Sequence, residues 1–104
     1  MKSSLTVEII PSPNPRKKYR SLISNGRKVD FGAKGYSDYT LHKDKERMYR
    51  YIQRHARGHE NWNISGVGTA GFWSRWYLWS KPSKKEAKKF ILNKFGLVIR
   101  DRKQ

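Results

Sequence analysis

Thr69–Trp79, TAGFWSRWYLW, contains three of the chain's four tryptophans together with Phe72 and Tyr77. Large aromatic side chains carry the greatest apolar area per residue, and a chain in water must cover them. Thr69 is a suitable N-cap. On the helix it opens, Phe72, Trp76 and Trp79 recur at i, i+4, i+7, with Trp73 and Tyr77 as a neighbouring stripe. Arg75, the one charge in the run, falls opposite this sector. The stretch reads as a core helix, because an apolar helix face points inward. Trp, Tyr and Arg are also favoured interface anchors, so the alternative is that part of the sector docks a partner. Trp62, in the preceding loop Gly58–Gly68, is read as a plug folded back onto the core.

Working outward toward the C-terminus, Ser80-Lys81-Pro82 stops this helix and Ser83-Lys84-Lys85-Glu86 is a capping box for the next, Lys84–Phe95. Ala87, Phe90, Ile91 and Phe95 form its apolar side, interrupted by Lys94, while Lys84, Lys85, Lys88 and Lys89 face out. Gly96 is the expected residue after the helix, and Leu97-Val98-Ile99 is expected to close as a short strand against the edge of a hairpin. On the N-terminal side, Asp44–Arg57 reads as a helix capped by Asp44. Met48, Tyr51, Ile52 and His55 share one face. Arg47, Arg50, Arg54 and Arg57 recur at i, i+3, i+7, i+10 and form a basic ridge of the residue that binds phosphate or carboxylate bidentately.

Farther upstream, Tyr19–Ser24 and Lys28–Gly32 flank Asn25-Gly26, the pattern of a hairpin closed by a type I′ turn. Arg16, Lys17, Lys18, Arg20, Arg27 and Lys28 line its wet side and tip. A two-stranded ribbon is hardly stable alone, so Leu5–Ile10 is expected as a third strand. Pro11, Pro13 and Pro15 make a stiff, donor-poor connector. The expected architecture is α+β: a small antiparallel sheet packed against three helices. Residues 1–15 form an N-terminal strand and Pro-rich arm, and 16–104 a single basic domain.

Lys and Arg number 24 against 8 Asp and Glu, a formal net charge of +16 over 104 residues. Solubility alone asks for a charge magnitude of about 2–8 in a small domain. The excess calls for an anionic partner: nucleic acid, an acidic protein face or an anionic membrane surface. Cys is absent, which removes disulfides and thiolate metal sites. No apolar run is long enough to span a bilayer, and Met1–Pro15 lacks the sustained apolar core of a signal peptide.

Catalytic and metal chemistry find no motif. His55 and His59 have a chelating spacing, but Gly58 separates them and a zinc site needs three or four ligands. Asp30, Asp38 and Glu46 could be stretched into a metal-nuclease plan, yet Asp44 and Glu46 are better explained by helix capping. Gly32-Ala33-Lys34-Gly35 has the G-x-x-G spacing of KH-type loops without the helices that should flank it. The expectation is a protein without enzymatic activity, cofactor, catalytic residue or metal.

The order of DFGAKGYSDYTLHKDKER (Asp30–Arg47), YIQRHARGHENW (Tyr51–Trp62) and TAGFWSRWYLWSKPS (Thr69–Ser83) resembles a family of small basic proteins encoded by giant and other large double-stranded DNA viruses. The resemblance spans roughly Lys17–Phe95 and leaves Met1–Pro15 outside. It implies no activity and no catalytic residues. It implies a setting: a virus particle assembled in host cytoplasm, in which small basic proteins lie beneath the shell or with the genome.

Two functions follow. One is a virion structural protein, a minor capsid or cement component binding acidic faces of other capsid proteins. Its Pro-rich arm and two terminal strands would be available for strand addition. The alternative is sequence-independent binding of DNA or RNA through the basic hairpin, the Arg ridge and the Lys84–Lys89 face. Basic residues recur on every expected element, whereas dedicated nucleic-acid readers concentrate them on one face. That spread favours the structural reading.

Overall fold

Period-two alternation in three short segments builds most of one sheet. The computed structural model describes residues 5–58 and 60–101, and the His59 half of the histidine pair lies outside them. Strands β1 (Thr6–Pro11), β2 (Lys17–Ile23) and β3 (Lys28–Ala33) bury Val7 and Ile9, Ser21 and Ile23, Val29 and Phe31 on one face. Register places Val7 opposite Ile23, Ile9 opposite Ser21, and Ser21 opposite Val29, so the buried residues form continuous rows. A slip of one residue would turn every one of them to water. The fourth strand, β4 (Val98–Asp101), completes the order β3-β2-β1-β4.

The fold is α+β, and several details differ from expectation. β4 pairs with β1, and it does so in parallel (Val7 opposite Ile99), making the sheet mixed. β1 is therefore an inner strand with both edges engaged. It is not free for strand addition and it is not the base of an arm. The Pro-rich stretch is the β1–β2 connection. The Lys17 N–H donates to the Asn14 carbonyl at 3.0 Å, the Arg16 N–H to Asn14 Oδ1 at 2.9 Å and the Asn14 N–H to Ser12 Oγ at 3.0 Å. The prolines withhold their own donors, but the residues between them supply enough to close a tight loop. At the β2–β3 tip only Gly26 (φ 94°) is left-handed, so a type I′ turn is not formed. The Gly26 N–H donates to the Ile23 carbonyl and the Ile23 N–H to the Arg27 carbonyl, both at 2.9 Å. This is a three-residue loop ending in a left-handed glycine.

Helices cover the buried face of the sheet. A short helix α1 (Tyr39–His42), not expected from sequence, starts at Asp38, whose carboxylate accepts from the Thr40 N–H at 2.9 Å. Helix α2 (Lys45–Ala56) is capped by Asp44 through the Glu46 and Arg47 N–H groups. Helix α3 (Ala70–Trp73) is capped by Thr69 and runs into a π-helical segment, Ser74–Leu78, in which the Trp79 N–H reaches the Ser74 carbonyl. Helix α4 (Lys84–Phe95) is capped by Ser83 and ends at Gly96 (φ 76°). The added residue per π turn spreads the rings around the axis. Consecutive residues Trp76, Tyr77 and Leu78 are all buried, along with Phe72 and Trp73. Trp79, expected on the Phe72–Trp76 face, is turned instead onto Tyr51 of α2.

Tryptophan donors fasten the loop ahead of α3. Trp73 Nε1 donates to the Val67 carbonyl and Trp76 Nε1 to the Trp62 carbonyl, each at 2.8 Å. Half-buried Trp62 packs against the core cluster. Arg75 does not point to water as expected. Its guanidinium sits 4.4 Å from the Trp76 ring centre and 5.5 Å from that of Trp62, and it donates to the Trp79 carbonyl at 2.9 Å.

Candidate polyanion interface

The expected basic residues fall into separate groups. Arg27 and Lys28 occupy the β2–β3 tip, exposed, with the Arg27 side chain running close past Gly68. Arg16 is exposed in the β1–β2 loop. On α4, Lys85 and Lys89 are exposed and Lys88 is half-buried. Lys84 does not simply face out, because its ammonium lies 4.7 Å from the Tyr19 ring centre. The α2 ridge divides. Arg50 pairs with Glu46 at 3.5 Å in the open, Arg57 caps the helix end, and Arg47 and Arg54 turn toward the sheet. The aromatics Phe72, Trp73 and Trp76 are buried, while Trp62 and Trp79 are half-buried.

A cleft of about 390 Å³ gathers residues from distant segments. Lys17 and Lys18 of β2, Arg47 and Arg54 of α2, Gly32 and Ala33 at the end of β3 and Tyr36, Ser37 and Asp38 beyond it all contribute to the lining. Two carboxylates in the lining are engaged by neighbours. Asp38, itself buried, takes the Lys18 ammonium at 2.7 Å, and Glu60 meets His55 Nδ1 at 3.1 Å. Among the described residues, Arg47 and Arg54 are paired with no carboxylate, while the Lys17 charge helps to hold the Asp30 carboxyl down. The cleft therefore keeps a surplus of positive charge.

Tyr51 belongs to the same lining. Its ring is held between His55 (4.1 Å) and Trp79 (4.5 Å), and among the described residues its buried hydroxyl has no hydrogen-bond partner. Burial pushes the phenol well above its ordinary value, and the Glu60 charge adds to the effect. Beside Trp79, His42 accepts the Asp44 N–H at Nδ1, and its buried Nε2 is unpartnered. Burial pushes this imidazole below its ordinary value, Arg47 assists, and Asp44 and Asp38 oppose. On the far face of the sheet, Arg20 binds Asp30 through two bonds of 2.7 and 2.9 Å. The Arg20 hydrogen bond holds the Asp30 carboxyl below its usual range, with Ser12 contributing.

Sequence reasoning did not find Asp38, Tyr51 or Tyr36 as parts of one site. The SDYT stretch carried an available signal, since Asp followed two residues later by Thr is an Asx-type helix start. No metal-binding cluster of His or carboxylate residues occurs among the described residues, and no helix there is long and apolar enough to cross a membrane.

Comparison with known families gives a match over part of the chain. Residues 7–55, from β1 through most of α2, fit the model of a family of unknown function, DUF5754. No curated protein and no solved structure matches the chain.

Proposed function

We propose that this protein is a non-enzymatic structural component of the particle of a large double-stranded DNA virus, a minor capsid or cement protein. It binds acidic faces of shell proteins. The observation that carries this reading is the distribution of unneutralised charge. A net +16 surrounds a body of 33 × 33 × 24 Å, with basic side chains exposed at the β2–β3 tip, in the β1–β2 loop, on α2 and on α4. Asp30, Asp38 and Glu46 are engaged by cations of the chain itself. Self-repulsion of this kind is relieved by contact with several anionic neighbours, as at an interstitial position in a shell. The motif order from Asp30 to Ser83 supports the viral setting, with assembly in host cytoplasm. Peripheral contact with an anionic membrane is compatible with the same charge.

A second reading is sequence-independent binding of nucleic acid associated with the genome. It is favoured by the convergence of Lys17, Lys18, Arg47 and Arg54 on one cleft. Fractionation separates the two. Particles are opened gently, treated with nuclease and resolved on a gradient, and the chain is quantified in shell and core fractions. Retention in nuclease-treated shells is expected. Release with the genome and elution by salt would favour the second reading. Absence from both would exclude a particle component.

A further inference from the structure

We propose that the cleft between β2, the Gly32–Asp38 loop, α2 and α3 is a binding site for a nucleotide-sized organic phosphate. Arg47 and Arg54 hold its phosphate and Tyr36 lies against its ring. This goes beyond the assignment to a particle and does not depend on it.

Size is the first argument. About 390 Å³ falls within the range of roughly 300–1,000 Å³ typical of small-ligand sites. Charge is the second. Lys18 is already answered by Asp38, the Lys17 charge acts on Asp30, and Glu60 is engaged by His55, which leaves Arg47 and Arg54 in the lining without a carboxylate. Two unpaired guanidinium groups in a concavity suit a phosphate, with the Arg forks matching its oxygens. The basic residues of α4 stand on a convex helix face and do not line this cleft.

Tyr51 supplies an independent observation. It is 4% exposed, it lines the cleft, and its hydroxyl lacks a partner. Stacked between His55 and Trp79, the ring cannot swing away to find one. A buried hydroxyl left unpaired destabilises the fold unless a ligand or water oxygen completes it. Tyr36, at the rim, is 74% exposed. An exposed aromatic beside a cationic groove is the arrangement on which a base stacks. A free nucleotide and a nucleotide unit within a single strand share this chemistry.

The test titrates the full chain with adenosine 5′-monophosphate, inorganic phosphate and a short single-stranded oligonucleotide at physiological ionic strength. Amide NMR shifts locate binding and calorimetry gives affinities. Adenosine monophosphate is expected to saturate at one per chain, with shifts confined to residues 17–18, 32–38 and 47–55. Arg47→Gln with Arg54→Gln should weaken it by about tenfold or more, the loss of charge-assisted hydrogen bonds. Lys85→Gln with Lys89→Gln should leave it unchanged. Tyr51→Phe should weaken it several-fold while the melting temperature holds or rises. Tighter binding of the oligonucleotide with the same shift pattern supports a single-strand source, and equal or weaker binding supports a free nucleotide. Shifts scattered over every basic element, or equal losses in the cleft and α4 variants, would overturn the site. Inorganic phosphate binding as tightly as the nucleotide would overturn the role of Tyr36.

Discussion

The Tyr51 ring lies flat on the Trp79 indole, with centroids 4.5 Å apart and planes 1° from parallel. This contact joins α2 to the end of the π-helical segment, and it fixes a phenol whose hydroxyl has no partner. Tyr51→Phe keeps the stack and removes the unpaired group. We expect it to stabilise the free protein by about 1 kcal/mol, the lower end of the cost of a buried unsatisfied hydroxyl. The tyrosine's raised pKa gives a second signature. Above pH 10 the unfolded chain ionises first, so stability falls as pH rises past that value. The Phe variant should lose less stability there. Urea unfolding at neutral and alkaline pH checks both.

His42 gives the acid limb. Its pKa is depressed, so the folded state resists protonation that the unfolded state accepts at the ordinary value of 6.5. Stability is complete above 6.5 and declines as pH falls from there toward the folded value. Thermal melts from about pH 8 to about pH 5 should show this loss. His42→Gln should flatten the profile below 6.5. An unchanged slope would mean that the imidazole is not the titrating group.

Much of the fold was legible in the sequence because its signals are local. Asp44, Thr69 and Ser83 each cap the helix their side chains announce. Alternation in β1 and β3 marks the buried face. What escaped depends on distance or on packing density. The parallel partner of β4 is chosen by the path of α4 across the sheet, which no short pattern encodes. The π turn answers the crowding of the residues that follow Trp73, visible only once the core is filled. Lys18 and Arg54 are far apart in sequence and come together only in the lining of the cleft. The Arg ridge on α2 was readable as a spacing, but its division between water and cleft was not.

Arg75 illustrates the same limit, since regular helical spacing placed it opposite the apolar sector. Between Trp62 and Trp76 its stem and guanidinium fill space in an aromatic layer, and burial lowers its pKa. Arg75→Ala should therefore cost about 2 kcal/mol through lost packing and cation–π contact. Arg75→Met should cost about 1 kcal/mol or less, because it keeps much of the volume and discards the buried Nε that lacks a partner. Chemical denaturation of the two variants checks the order. Equal losses would show that the charge, not the packing, stabilises this layer.

Gly32 and Gly35 bracket one wall of the cleft and make a controlled pair. Both are left-handed, at φ 79° and 91°. A Cβ at Gly35 meets nothing within 4 Å, so Gly35→Ala should cost only the backbone penalty, about 1 kcal/mol. A Cβ at Gly32 would lie 3.0 Å from Leu78 Cδ1 and 3.2 Å from Lys18 Cβ. Gly32→Ala must displace a buried core residue and the strand that carries the Lys18–Asp38 ion pair, as well as bear the same strain. We expect a loss of about 2–3 kcal/mol, read from denaturation midpoints. Equal losses at the two positions would mean that Leu78 and Lys18 yield freely, and that this wall of the cleft is softer than its packing indicates.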